Sequence, residues 1–197
     1  MANLHDIVQW CDQTLKANEF KDYAPNGLQI EGKLEVNKIV CAVTASEDAI
    51  DAAIAQNADA LLVHHGYFWK GESYPITGMR GNRIKKLIQN NISLIAYHLP
   101  LDSHATLGNN AAIADLMGLQ NIEALDSTEK HPIGNIGYLE NSIHPDDFKA
   151  KLQSIFDFSV IHLPCYKTTI QKVGFCTGGA QDFIHKAAQE KCDAYIS

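Results

Sequence analysis

Lys38-Ile39-Val40-Cys41-Ala42-Val43-Thr44-Ala45-Ser46-Glu47 opens the stretch that decides the fold, and Ala60-Leu61-Leu62-Val63-His64-His65-Gly66 closes it. Ile39 to Val43 reads as a strand. Thr44-Ala-Ser-Glu47 reads as a capping box, in which a hydroxyl and a carboxylate satisfy the first amides of a helix running from Glu47 to Gln56. Ala60 to Val63 is the next strand. The alternation continues with helical spacing at Arg83, Ile84, Leu87 and Ile88, a strand at Ser93 to Tyr97, and a helix from Asn109 to Met117 with Gly118 at its C-terminal end. Repeated βα units of this kind predict an α/β fold with mostly parallel sheets flanked by helices.

Upstream, Leu4, Ile7, Val8, Cys11 and Leu15 recur at helical spacing and predict an amphipathic helix lying on the core. Tyr23-Ala-Pro25-Asn26-Gly27-Leu28 is a turn signature, either a plain connection or the rim of a binding site. Downstream, residues 121 to 132 are polar and short of apolar periodicity, so a second unit is expected to begin there. The expected domains are 1–125 and 126–197. Within the second, strands are predicted near Ile133 to Leu139, Ser159 to Leu163, Lys172 to Thr177 and from Ala194 onward. Helices are predicted at Pro145 to Phe156 and Gln181 to Glu190.

Laying Lys172 to Ser197 on Lys38 to Val63, at a constant offset of 134, matches Lys38 with Lys172, Asp48 with Asp182, Ile50 with Ile184, Ala53 with Ala187, Asp59 with Asp193 and Ala60 with Ala194. The pairing is gapless and shares its strand-helix-strand pattern, so it reads either as an internal duplication or as common βαβ grammar.

The 197 residues include 46% hydrophobic and 20% charged side chains, a globular composition. No apolar run approaches the ~18 residues of a membrane span, and the first residues lack a basic segment followed by a long apolar one, so a cytoplasmic protein is expected. A net charge of −7 with scattered Lys and Arg argues against a nucleic-acid partner. Five widely spaced cysteines without Cys-x-x-Cys suit reduced thiols, most of them small core residues. No Walker lysine motif, dinucleotide fingerprint or Gly-x-Ser-x-Gly elbow is present, which disfavours the corresponding enzyme classes.

Two adjacent histidines at the C-terminal edge of a parallel strand stand where ligands bind in α/β sheets. Neighbours on a regular strand point to opposite faces, so His64 and His65 converge on one ion only if the backbone turns, which Gly66 eases, or else each serves one ion of a pair. The exit of the strand Ser93 to Tyr97 supplies His98 and Asp102. Pro100 places these on a loop rather than in a helix. Two imidazoles and a carboxylate (His64, His65, Asp102) accommodate Zn, Fe, Mn, Co or Ni, while His98 or His104 could ligate, orient a ligand or move a proton. The remaining histidines read as surface or packing residues. Tyr67-Phe68-Trp69-Lys70 offers aromatic faces and a cation to a flat, anionic ligand, or a hydrophobic loop to a subunit interface. Thr177-Gly178-Gly179 could bring backbone amides to a phosphate, a weak signal.

Six segments together resemble the GTP cyclohydrolase I type 2 homologues, the Ngg-interacting-factor-three-like dinuclear metal proteins. They are Asp22-Tyr-Ala-Pro25-Asn26-Gly27-Leu28-Gln29, Val43-Thr44-Ala45-Ser46, Val63-His64-His65-Gly66-Tyr67-Phe68-Trp69-Lys70-Gly71, His98-Leu99-Pro100-Leu101-Asp102, Leu107-Gly108-Asn109-Asn110 and Cys176-Thr177-Gly178-Gly179. The resemblance implies two related α/β halves, two divalent metal ions per subunit in the cleft between them, and a ring-shaped homohexamer. It places His64, His65 and Asp102 at metal-ligand positions and gives His98 an outer-sphere or proton-transfer role. It implies a metal-dependent hydrolase acting on a nucleotide-like substrate; for such a substrate the rim is expected at Asn26, Tyr67, Trp69 and Lys70. The alternative is a non-catalytic metal-binding scaffold or metal-handling protein. The family continues past the position of Ser197 with a Gly-His-x-x-x-x-Glu segment that carries further ligands, so the chain is expected to be a truncated version of a longer protein.

Overall fold

A computed structural model describes residues 1–197. The first unit, Met1–Leu101, contains β1 (Ala2–Asn3), α1 (Leu4–Leu15), β2 (Gly27–Ile30), β3 (Glu35–Val36), β4 (Ile39–Thr44), α2 (Glu47–Ala55), β5 (Ala60–His65), α3 (Gly78–Gln89) and β6 (Ser93–Ala96). A short helix, α4 (Leu99–Asp102), follows, and the second unit, Asp102–Ser197, carries α5 (Asn109–Met117), β7 (Gln120–Ala124), β8 (Asn135–Ile143), α6 (Pro145–Phe156), β9 (Ile170–Phe175), α7 (Ile184–Gln189) and β10 (Ala194–Ile196).

The first sheet has the order β2-β6-β5-β4, with β4, β5 and β6 parallel and β2 antiparallel to β6. Alternation along the strands divides its side chains between two cores. Leu61, Val63, Leu94 and Ala96 pack with Ile50 and Ala53 of α2 and Ile84 and Leu87 of α3. Ala60, Ile95 and Tyr97 pack with Leu4 and Cys11 of α1. Helices on both faces are why the central strands are continuously apolar. Helix α1 is held at its start by the Asn3 side chain, which accepts the His5 amide, and ends on Lys16 in a left-handed conformation.

The second sheet, β10-β9-β8-β7, also has two covered faces. Val173 and Phe175 of β9 and Leu139 of β8 meet Met117 of α5 and Phe148 and Leu152 of α6, while Ile136 packs with Ala187 of α7 and Tyr195. Here β8 is antiparallel to both neighbours and only β9–β10 is a parallel pair, so the mostly parallel pattern of the first sheet does not extend to the second.

Several local readings are corrected. The packing division falls at 101/102, whereas the polar segment suggested 125/126. Helix α5 packs on α6, and β7, which overlaps the polar segment 121–132, pairs with β8. Residues 159–163 form no strand; Ile161 and Leu163 are exposed and lack a neighbouring strand to pair with. Pro100 does not prevent a helix at Leu99–Asp102, because a proline in the first turn removes no intrahelical bond. The cap of α2 is Ser46, whose hydroxyl accepts the Ala49 amide at 3.1 Å, leaving Thr44 for another task. Of the five free cysteines only Cys11 and Cys176 are buried, while Cys41 and Cys165 are exposed.

The internal repeat has a structural counterpart at the same offset. The Asp59 carboxylate accepts the amides of Asn37 (2.9 Å) and Lys38 (3.2 Å) and pairs with Lys33 (3.2 Å), while Lys38 Nζ caps the Gln56 carbonyl at 2.8 Å. In the second unit Asp193 accepts the amides of Gln171 (3.1 Å) and Lys172 (3.0 Å) and pairs with Lys167 (2.8 Å), and Lys172 Nζ reaches the Glu190 carbonyl at 2.6 Å. Strand registers repeat too, Ile39 opposite Ala60 and Val173 opposite Ala194. A left-handed residue precedes each bracket, Asn57 at φ 54° and Lys191 at φ 58°. Shared βαβ grammar would not reproduce four side-chain contacts residue for residue, so the two units contain duplicated βαβ cores.

Both bracket carboxyls lie below the ordinary carboxylate range. For Asp59 the Asn37 amide is the main cause; for Asp193 burial pushes upward but is outweighed by Lys167 and the two amides. A depressed folded-state value means stability that is present above the unfolded carboxylate pKa of ~4 and lost as pH falls through the folded value. Asp59→Asn and Asp193→Asn should each remove about 1–2 kcal/mol at pH 7 and flatten the acid limb of the stability curve, as read from thermal melts taken down to about pH 3.

Candidate metal centre

The exits of β5 and β6 bring three imidazoles together. The ring centroids of His64 and His65 are 4.4 Å apart, those of His64 and His98 5.0 Å, and those of His65 and His98 5.7 Å. One ligating nitrogen from each ring lies within 4.8 Å of the other two. The convergence of two strand neighbours occurs at the last residues of β5, where Gly66 follows. A Cβ on Gly66 would collide with the Gln29 side chain and lie 2.8 Å from Ala96 Cβ, so the close approach of this segment to β2 and β6 needs glycine.

Each ring has a different partner at Nδ1. His64 Nδ1 donates to the Tyr97 carbonyl at 3.0 Å, His65 Nδ1 lies 3.2 Å from Thr44 Oγ1, and His98 Nδ1 lies 2.7 Å from Asp22 Oδ1. The carbonyl beside His64 can only accept, so His64 Nδ1 carries the hydrogen and Nε2 the lone pair, the outer arrangement that orients metal-binding histidines. A divalent cation fits such a donor set. Thr44, no longer a helix cap, serves here. Burial pushes the Asp22 carboxyl up, but hydrogen bonds from His98, Asn26, Leu99 and Tyr23 outweigh it and bring it down to about 2.

Trp69 borders the cluster, edge-on to His98 with centroids 4.9 Å apart and 5.9 Å from His65, its indole N–H donating to the Gly66 carbonyl at 3.1 Å. Its loop includes Phe68 in a left-handed conformation (φ 66°) and is tied down by Lys70 N–H to the Tyr23 carbonyl at 2.6 Å. Arg80 braces the following turn through Glu72 at 2.7 Å and the carbonyls of Ser73 and Pro75.

The other expected rim residues divide. Lys70 is exposed. Tyr67 is a core side chain, 6% exposed, whose hydroxyl donates to the Ala45 carbonyl at 2.7 Å and is pushed up to about 12 by burial. Asn26 braces the site from within: its Oδ1 accepts the His98 amide at 2.8 Å and its Nδ2 donates to Asp22 at 3.0 Å.

Asp102 opens the second unit, 8% exposed. Its Oδ1 accepts Asn109 Nδ2 at 2.7 Å and Thr177 Oγ1 at 3.3 Å, and Asn110 links its carbonyl to the Thr177 amide. Asn109-Asn110 and Thr177 thus orient a carboxylate, and the Thr177-Gly178-Gly179 turn is a support for it. His104 Nδ1 accepts the amides of Thr106 and Leu107, a loop-capping task.

An α/β protein with duplicated βαβ cores and a trihistidine cluster at adjacent strand exits is a metal-competent fold rather than a P-loop or dinucleotide-binding one. The chain belongs to the Duf34/NIF3 (NGG1p interacting factor 3) family, whose model matches residues 2–197. It is 46% identical over 199 residues to the GTP cyclohydrolase 1 type 2 homolog of Haemophilus influenzae, covering all of this chain and 78% of that protein. To the protein of the same name from Vibrio cholerae it is 46% identical over 191 residues, covering 94% and 74%. Among solved structures, protein ybgI, described as of unknown function, superposes with a TM-score of 0.93 at 40% identity, over 98% of this chain and 77% of that one. A Bacillus cereus protein related to NIF3 shares the fold, with a TM-score of 0.87 at 17% identity over 100% and 82%. No helix is long and apolar enough to cross a membrane.

Proposed function

We propose that the protein is a divalent-metal-dependent hydrolase acting on a nucleotide-like substrate. The observation that carries this reading is the set of three converging imidazoles, each with a polar partner at Nδ1. The name shared by the bacterial relatives, GTP cyclohydrolase 1 type 2 homolog, supports a purine nucleotide as the substrate.

In this reading His64, His65 and Asp102 hold metal, two ions per subunit of a cytoplasmic homohexamer, with Zn, Fe, Mn, Co and Ni all compatible with the donors. When bound, a divalent cation supplies Lewis acidity and an activated water near neutral pH. His98 Nε2 takes a proton from the attacking water as oxygen bonds to an electron-poor ring carbon, and returns it to the departing nitrogen. Trp69 excludes bulk water from one side and offers a stacking face to the base, with Lys70 available to phosphate.

The test is elemental analysis of the purified protein, followed by incubation of the loaded form with GTP while guanine absorbance is followed. Bound metal with loss of the guanine band is the expected result. Bound metal without turnover of any nucleoside triphosphate would overturn the hydrolase in favour of a metal-binding scaffold.

A further inference from the structure

We propose that Asp22 is the positioning residue of this site: its carboxylate fixes His98 as the Nδ1–H tautomer and aims Nε2 into the cluster. The inference rests on the proposed function only for the use made of that nitrogen; the positioning itself stands on geometry.

The Asp22 side chain is 3% exposed and every contact it makes is with a donor. Oδ1 accepts His98 Nδ1 at 2.7 Å and the Tyr23 amide at 2.6 Å; Oδ2 accepts the Leu99 amide at 2.9 Å and Asn26 Nδ2 at 3.0 Å. An ionised carboxylate has no proton to give, so the hydrogen between Asp22 and His98 belongs to the ring, and Nε2 carries the lone pair. The same loop holds the backbone of His98, through its amide to Asn26 Oδ1 at 2.8 Å. Ring and main chain are therefore clamped together by residues 22–26.

The three histidines are not equivalent in this respect. At Nδ1, His64 meets a carbonyl and His65 a hydroxyl that can donate or accept, whereas His98 meets a carboxylate. Hydrogen bonds to an ionised acceptor are shorter and about twice as strong as neutral ones, so the Asp22 contact sets the His98 tautomer firmly. That is the property required of a group that must have its lone pair at one nitrogen when the proton arrives.

A purely structural role, stapling the 22–26 turn to the residues after β6, would use the same backbone donors, so the test reads the ring itself. Long-range ¹H–¹⁵N correlation spectra of the metal-free protein are expected to show His98 as a single Nδ1–H tautomer. Asp22→Ala should release it toward Nε2–H. If that variant does not fold, Asp22→Asn retains the side-chain shape, and a mixture of the two tautomers is the expected result.

With zinc-loaded protein and GTP, Asp22→Asn should lower kcat roughly 10–100-fold at unchanged zinc content and KM, and should have no further effect in a His98→Ala background. Nε2–H His98 in the unaltered protein, or a tautomer indifferent to substitution of Asp22, would overturn the proposal. If the unaltered protein turns over no nucleotide, the hydrolase reading fails while the tautomer result still decides the role of Asp22.

Discussion

His64→Ala is expected to weaken zinc binding by at least ~100-fold, more than the 10–100-fold that follows from loss of an outer partner alone. His64 stands at the centre of the cluster, its ring closest to that of His65 and next to that of His98, and its Nδ1 is committed to the Tyr97 carbonyl. Removing the ring deletes a nitrogen donor and leaves that carbonyl one bond short, a cost of about 1 kcal/mol that the two cores of the first unit can absorb. Equilibrium dialysis against Zn²⁺ should therefore show the loss while the circular dichroism spectrum and melting temperature stay close to those of the unaltered chain. Thr44→Val, which keeps the shape but removes the hydroxyl beside His65, should fall between the two. Zinc affinity unchanged in His64→Ala would remove the β5 exit from any metal role.

The largest effect on stability is expected from Phe175→Ala, about 3–5 kcal/mol. Phe175 is 1% exposed at the end of β9, opposite Asn135 of β8 and Ile196 of β10, with Val173, Leu139 and the helices α5 and α6 closing around the ring. The space vacated is bounded by strands on either side, which limits collapse into it, so the cavity term adds to the transfer term. Urea unfolding followed by far-ultraviolet circular dichroism measures it. A loss below about 1 kcal/mol would contradict the packing described for the second unit.

The central strands were legible because a strand covered on both faces leaves an unbroken apolar run, as at Ala60-Leu61-Leu62-Val63. Adjacent histidines at the end of that run stood out for the same reason. Strands β2 and β7 were hidden because each is short and lies at a sheet edge, where Gln29 or Asn121 and Glu123 dilute the pattern. The segment 159–163 shows the reverse error: Val160, Ile161 and Leu163 have strand-forming side chains but no partner strand, and pairing decides. The metal-competent cluster was half visible. His98 could be suspected from its strand exit, but Asp22 lies 76 residues away, just ahead of the Tyr23–Leu28 turn signature. Thr44 looked like a cap because Glu47 follows at the right spacing, yet Ser46 does the capping. Spacing along a chain reveals local bonds, and these partners meet only across the sheet.

The aspartate bracket and the histidine cluster occupy opposite ends of β5, Asp59 just before its first residue and His64 and His65 at its last. At about 3.3 Å per residue the intervening strand separates them by roughly 17 Å, about twice the Debye length of physiological saline. Two unit charges that far apart interact by only about 1 kcal/mol at an effective dielectric of 20, well below a direct contact. Thermal robustness can be tuned by mutation at the base of the strand without retuning the imidazoles at its tip, and the duplicated base in the second unit provides an internal replicate for doing so.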